Sequence, residues 1–172
     1  SRPSPLTLLS SAAVCCTALA NRRSNATAVS GGAGGLGRLL TDYLLHYYPN
    51  CSVAVASRSA KETEDPRRKC YACDVCDEDD VKRVCDSIDD LVGVIHCAGV
   101  TYGGPFAAPN ENDSKLLFDI KYWGTRYLYK ATQDRSLRFF WLASSISAAV
   151  GDCVEIKILR RVLNRRVVLH AI

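Results

Sequence analysis

The eight residues Ser30-Gly31-Gly32-Ala33-Gly34-Gly35-Leu36-Gly37 lie between a short apolar run at 26–29 and an amphipathic segment at 36–47. This order predicts a strand, a glycine-rich turn and a helix. Glycines would let a phosphate group approach the backbone at the N-terminus of the helix, where unpaired N–H groups and the helix dipole attract negative charge. A glycine cluster can also be an ordinary flexible loop, but its place between strand and helix favours a pyrophosphate site.

Short apolar runs and helical segments continue to alternate beyond this turn. Runs that are apolar on both faces are typical of parallel strands covered by helices on both sides. We therefore predict an α/β fold, a Rossmann-type doubly wound parallel sheet with helices on both faces. The four further strands are predicted at 52–56, 70–75, 91–95 and 137–142, and the two further helices at 77–88 and about 111–133.

The composition indicates one globular domain. The chain has 172 residues, of which 48% are hydrophobic and 23% charged. Its net charge of +4 is concentrated in residues 151–172, so the remainder is nearly neutral and we expect no nucleic-acid partner. The nine cysteines are an odd number and lie in apolar or helical contexts. They favour reduced thiols and a cytoplasmic location.

The residues after the second predicted strand bear on the cofactor. An acidic side chain at this point, about twenty residues beyond the glycine turn, would bind the ribose hydroxyls of NAD. The sequence has Ser57-Arg58-Ser59 instead, and arginine suits a 2′-phosphate. This predicts NADP(H), the alternative being a surface arginine that meets only solvent.

Cys70, Cys73 and Cys76 have the spacing of metal ligands. A structural zinc takes four ligands in a tetrahedron, whereas an extended segment directs Cys70 and Cys73 to opposite faces. We therefore predict no metal site and interpret these cysteines as small buried residues. His96 directly follows a buried run, so we expect it to be packed or hydrogen-bonded rather than catalytic.

Six segments together resemble one enzyme family, and their combination is more specific than any one of them. They are the glycine turn, Ser57-Arg58-Ser59, Ala72-Cys73-Asp74-Val75, Gly93-Val94-Ile95-His96-Cys97-Ala98-Gly99-Val100, Lys121-Tyr122-Trp123-Gly124-Thr125 and Phe140-Trp141-Leu142-Ala143-Ser144-Ser145-Ile146-Ser147. In order and spacing they resemble the ketoreductases of modular polyketide synthases, within the short-chain dehydrogenase/reductase superfamily. The resemblance covers about residues 26–151.

The resemblance implies an activity and partners. It implies NADPH-dependent reduction of a β-ketoacyl thioester, carried by an acyl carrier protein, to a β-hydroxyacyl thioester in polyketide or fatty-acid biosynthesis. Neighbouring synthase modules would be partners. It also implies three regions: an upstream or leader-like segment at 1–24, an NADP-binding ketoreductase domain at 25–152 and a basic tail outside the family pattern at 153–172.

The resemblance also implies roles for individual residues. Ser145 would hydrogen-bond the substrate carbonyl, and Lys121 would lower the pKa of a catalytic tyrosine; an ordinary strand-end hydroxyl and a solvated lysine are the alternatives. The cofactor-binding residues would be Ser30, Gly31, Gly35, Leu36 and Gly37 for the phosphates, Ser57, Arg58 and Ser59 for the 2′-phosphate, Asp74 and Val75 for the adenine, and Cys97, Ala98 and Gly99 for the nicotinamide ribose.

The resemblance to the ketoreductase family stops after Asp152. The positions of the family's catalytic tyrosine and of an asparagine beyond it hold Ile158 and Val162. We interpret 153–172 as the product of a frame switch or intron read-through, the alternative being a genuine basic, apolar segment that lies on a partner or an anionic membrane. We accordingly expect the sixth and seventh strands to be missing. A catalytically dead or truncated NADP-binding module with a scaffold role is therefore an alternative function.

The segment before the first strand contains an apolar run at 5–20 that resembles the core of a signal peptide. It is too short to cross a bilayer as a stable helix, and a single arginine precedes it. Because the sequence opens on Ser1 and contains no Met, we expect a piece of a longer product rather than a targeted protein, with no membrane association.

Overall fold

The computed structural model describes residues 25–59, 61, 63–100, 111–144 and 168–171. Within these ranges the chain forms six strands, four α-helices and one π-helical turn. The strands are β1 (Asn25–Ser30), β2 (Cys51–Ser57), β3 (Arg68–Ala72), β4 (Leu91–His96), β5 (Phe139–Ser144) and β6 (Val168–Ala171). The helices are α1 (Gly35–Tyr47), α2 (Glu78–Asp86), α3 (Glu111–Phe118) and α4 (Gly124–Thr132), and the π turn is Asp119–Trp123.

The strands form one parallel sheet in the order β3-β2-β1-β4-β5-β6. The chain winds outward from β1 to β3, then crosses back to place β4 on the other side of β1. The strand order therefore reverses between β1 and β4, which opens a crevice at the carboxyl ends of these two strands. The predicted doubly wound α/β fold is confirmed.

Helices cover both faces of the sheet. Successive strand residues point to opposite sides, so Ala28 and Val29 belong to different hydrophobic clusters. The cluster around Val29 includes Leu44 of α1, whereas the cluster around Ala28 includes Val81 of α2 and Leu128 of α4. This explains why the strands are apolar on both faces.

The expectation that the chain lacks the sixth strand needs correction. Val168–Ala171 pairs with β5 in parallel and occupies the sixth place in the sheet. The outer edge of β5 presents backbone N–H and C=O groups, and the backbone of Val168–Ala171 supplies partners for them.

The predicted long helix at 111–133 is interrupted by the π turn. There the N–H of Gly124 donates to the carbonyl of Asp119, five residues back, so α3 and α4 are separated by one widened turn. Within the described residues, every helix is too short or too polar to cross a membrane.

Candidate functional site

A cleft of about 800 Å³ lies at the carboxyl edge of the sheet. The predicted cofactor-binding residues line it, with the exception of Ser30, and Lys121 lines it as well. Three further residues, which no sequence motif predicted, add an apolar wall from α3 and the π turn: Leu116, Leu117 and Ile120. These side chains carry no recognisable motif, and only the fold brings them to the cleft.

The glycine turn is pressed against the end of β4. Gly31 has a φ of +69°, and a Cβ at this position would lie 2.6 Å from the Cα of Ala98. Its N–H donates to the Ala56 carbonyl at 2.8 Å, and the Cys97 N–H donates to the Ser30 carbonyl at 2.9 Å. These contacts hold the turn at the switch point of the sheet.

The N-terminus of α1 fits a phosphate group. Helix geometry leaves the first N–H groups without intrahelical partners. Gly34, the N-cap, makes no side-chain capping bond, and the first turn of α1 contains no acidic residue. The helix dipole is therefore not offset by a local carboxylate and favours an anion at this end.

The end of β2 offers further ligand-binding groups. Arg58 and Ser59, predicted to bind a 2′-phosphate, line the cleft together with Ser57. The buried Oγ of Ser57 has no hydrogen-bond partner within the described part of the chain. A hydroxyl of this kind is free to bond a ligand in the cleft, so the residues present fit a nucleotide here.

The loop after β3 is held by a small polar network. The N–H of Asp74 donates to Asp80 at 3.0 Å, and the N–H of Cys76 donates to the Asp74 side chain at 3.0 Å. Arg83 donates to Asp80 and, at 2.9 Å, to the Ala72 carbonyl. Two hydrogen bonds lower the pKa of Asp80 below its ordinary value: the bond from Arg83 has the larger effect, and the bond from the Asp74 N–H has the smaller one. The loop that carries Asp74 and Val75 is therefore fixed at the rim of the cleft.

Lys121 extends from the π turn to the end of β5. Its Nζ donates to the Ala143 carbonyl at 3.0 Å, and a Cβ on Gly99 would lie 3.3 Å from the same Nζ. Burial raises the pKa of the neighbouring Cys97 to about 11, although the charge of Lys121 opposes the shift. The Cys97 thiol is accordingly protonated at neutral pH and is not a nucleophile.

His96 is buried at the end of β4, with an exposed fraction of 1%. Ser30, predicted to line the phosphate turn, instead buries its side chain against this ring, with its Oγ 2.5 Å from His96 Nδ1. The pKa of His96 is lowered to about 3, mainly by burial and to a smaller extent by the charge of Lys121. The expectation of a hydrogen-bonded histidine is confirmed.

Two further sets of residues from the sequence analysis are the catalytic positions from Ser145 onward and the cysteines with metal-ligand spacing. Ser145, Ile158 and Val162 lie outside the described residues. Cys70 and Cys73 pack in the two different hydrophobic clusters, on opposite sides of the sheet. Among the described residues, no group of three or more histidine, cysteine or acidic side chains could hold a metal ion.

Sequence comparisons match the chain to one domain of polyketide synthases. The family model for the KR domain matches residues 25–157. The hybrid PKS-NRPS synthetase pyvA of Aspergillus violaceofuscus is 32% identical over 149 residues, which are 78% of this chain and 4% of that protein. The hybrid PKS-NRPS synthetase pynA of Aspergillus niger is 29% identical over 134 residues, which are 71% of this chain and 3% of that protein.

Solved structures agree in fold. A ketoreductase domain from the bacillaene assembly line has a TM-score of 0.65 at 21% identity, covering 79% of this chain and 37% of that chain. A mutant uronate dehydrogenase from Agrobacterium tumefaciens, complexed with NAD, has a TM-score of 0.55 at 23% identity, covering 71% of this chain and 41% of that chain. The chain belongs to the KR-domain family, the ketoreductases of polyketide synthases, which are oxidoreductases of the short-chain dehydrogenase/reductase superfamily.

Proposed function

We propose that this chain binds NADPH in the cleft and reduces a β-ketoacyl thioester, carried by an acyl carrier protein, to a β-hydroxyacyl thioester. The observation that carries the proposal is that one cleft brings together the glycine turn, Arg58, Asp74, Gly99 and Lys121. These residues come from the ends of separate strands and helices, and together they supply a phosphate site, a cationic side chain, a polar rim and an ammonium group.

The cofactor would lie along the carboxyl edge of the sheet. The N-terminus of α1 would bind the pyrophosphate, and Arg58 with Ser59 would bind the 2′-phosphate through charge-assisted hydrogen bonds. Asp74 and Val75 would hold the adenine, and Cys97, Ala98 and Gly99 would line the ribose of the nicotinamide. When bound, the reduced nicotinamide supplies the hydride that converts a keto group to a hydroxyl.

The protein groups act on the developing charge and on the proton. Negative charge grows on the carbonyl oxygen as the ketone is reduced, and the Ser145 hydroxyl would stabilise it by donating a hydrogen bond. The Lys121 ammonium, which already reaches the end of β5, would lower the pKa of a proton donor beside it.

A second candidate function is an NADP-binding module without catalysis. The specific observation that favours it is Ile158, which stands where the family carries its tyrosine and has no proton to donate. Binding of NADPH is common to both candidates, and turnover distinguishes them.

The test combines NADPH with a β-ketoacyl thioester of N-acetylcysteamine and follows the loss of reduced-nicotinamide absorbance. The reductase function predicts consumption that Ser145→Ala and Lys121→Ala each lower by about tenfold or more. Consumption that appears only after Ile158→Tyr supports the non-catalytic module, because the variant restores the missing donor. A chain that does not bind NADPH contradicts both candidates.

We further propose a cytoplasmic location within a multidomain synthase. Five cysteines in the described part of the chain are free thiols, as expected in a reducing compartment: Cys51, Cys73, Cys76, Cys85 and Cys97. The chain spans only 3% and 4% of the length of the two hybrid synthetases that it matches, which supports neighbouring synthase modules and a carrier protein as partners.

A further inference from the structure

The π turn depends on side-chain hydrogen bonds. Its widened backbone departs from the regular helical ladder, and two successive carbonyl groups accept hydrogen bonds from side chains. The Ile120 carbonyl lies 3.1 Å from His96 Nε2, and the Lys121 carbonyl accepts a bond from Thr125 Oγ1 at 2.6 Å. The bond from His96 comes from the sheet, whereas Thr125 belongs to the same helix.

The two partners of His96 determine its tautomer. A carbonyl oxygen only accepts, so the proton of the neutral ring is on Nε2, which donates to Ile120. Nδ1 is then an acceptor, and the Ser30 hydroxyl donates to it. The ring thus links β1, β4 and the π turn through one defined pair of hydrogen bonds.

We propose that His96 is a positioning residue: its bond to the Ile120 carbonyl fixes the π turn so that Lys121, the next residue, extends to the end of β5. The inference rests on the proposed function, in which Lys121 lies beside Gly99 at the proposed site of the nicotinamide ribose. A rigid anchor is needed because an ammonium on a long, flexible side chain has many rotamers. The neutral ring also avoids repulsion of the Lys121 charge.

Two substitutions separate the two hydrogen bonds of His96. In His96→Asn the amide lies near the position of Nδ1, which keeps a partner for Ser30 but is too short to reach Ile120. In His96→Gln the amide N–H lies near the position of Nε2 and keeps the bond to Ile120. The pair therefore removes or retains the proposed contact while both variants keep a polar side chain at this buried position.

Binding of two nucleotides is the first readout. Adenosine 2′,5′-bisphosphate carries the adenine half of NADPH and no nicotinamide, so it serves as the control ligand. His96→Asn should weaken NADPH binding by about tenfold, as Lys121→Met should, because the first would displace and the second would remove the ammonium beside the proposed nicotinamide site. The bisphosphate should bind both variants as tightly as it binds the unmodified chain. His96→Gln should bind both ligands with unchanged affinity. In the Lys121→Met background, His96→Asn should cause no further loss of NADPH affinity.

Equal weakening of both nucleotides by His96→Asn, or no weakening of either, overturns the positioning role. If the unmodified chain binds neither nucleotide, the proposed function fails instead, and hydrogen exchange of the ligand-free protein decides the inference. His96→Asn should then speed exchange at Asp119–Trp123 but not in β1 or β4, and His96→Gln should not. A nitrogen NMR spectrum of the unmodified chain gives the same decision without a variant: the proton is expected on Nε2, and a proton on Nδ1 overturns the proposal.

Discussion

A methyl group would have different consequences at Gly31 and Gly35, although both belong to the same turn. At Gly31 the backbone has a positive φ and the Ala98 backbone lies within 2.6 Å of an added Cβ. At Gly35 no atom of the described residues lies within 4 Å of an added Cβ. The fold therefore requires glycine at Gly31, whereas at Gly35 the described residues leave room for a side chain.

We expect Gly31→Ala to lower the free energy of unfolding by about 2 to 4 kcal/mol, because it combines backbone strain with a clash against backbone atoms. Gly35→Ala, the matched control, should change it by less than about 1 kcal/mol. Chemical denaturation measures both values. Equal effects of the two substitutions would contradict the geometry of the turn.

His96 makes the stability of the fold depend on pH. Its pKa is about 3 in the folded protein and 6.5 in the unfolded chain, so between these values the unfolded state binds more protons. The free energy of unfolding should therefore fall as the pH is lowered through this window, by about 1 kcal/mol per pH unit. Urea unfolding of the unmodified chain and of His96→Gln at a series of pH values isolates the effect. Parallel pH profiles for the two proteins would show that His96 does not cause it.

At the scale of the elements, the long helix shows where sequence reasoning ends. Its apolar periodicity predicted the helix at 111–133, but periodicity contains no sign of the π turn, because His96 stabilises that turn from a distant strand. Close packing also matters here: a Cβ on Gly124 would lie 2.5 Å from a methyl carbon of Val75. The position of Lys121 was therefore predictable as helical, and its approach to the end of β5 was not.

Helix α2 owes part of its stability to its cap. The Asp77 side chain accepts bonds from the N–H groups of Asp79 at 2.9 Å and Asp80 at 3.2 Å. Asp77→Ala should lower the free energy of unfolding by about 1 kcal/mol, whereas Asp77→Asn, which keeps an acceptor, should lower it by only a few tenths of that. Thermal unfolding of both variants checks the difference. Similar losses for Ala and Asn would mean that the capping bonds contribute little.

At the scale of the whole molecule, the predicted cofactor residues at 31–37, 57–59, 74–75 and 97–99 line one cleft, because the carboxyl ends of parallel strands meet at one edge of the sheet. The glycine turn and Arg58 were predicted from their places after predicted strands, whereas 74–75 and 97–99 were predicted from the resemblance to ketoreductases. The sixth strand was missed because pairing with the edge of β5 is a tertiary event, and Val168–Ala171 lies in a segment that resembles no ketoreductase motif.

Binding of NADPH in this cleft is tested most directly by calorimetric titration of the chain with NADPH and with NADH. A bidentate arginine–phosphate contact predicts that NADPH binds more tightly by about tenfold to a hundredfold. Arg58→Ala should remove that preference, whereas Arg138→Ala, an exposed arginine that does not line the cleft, should retain it. Equal affinities for NADPH and NADH in the unmodified chain would contradict the binding of a 2′-phosphate by Arg58 in this cleft.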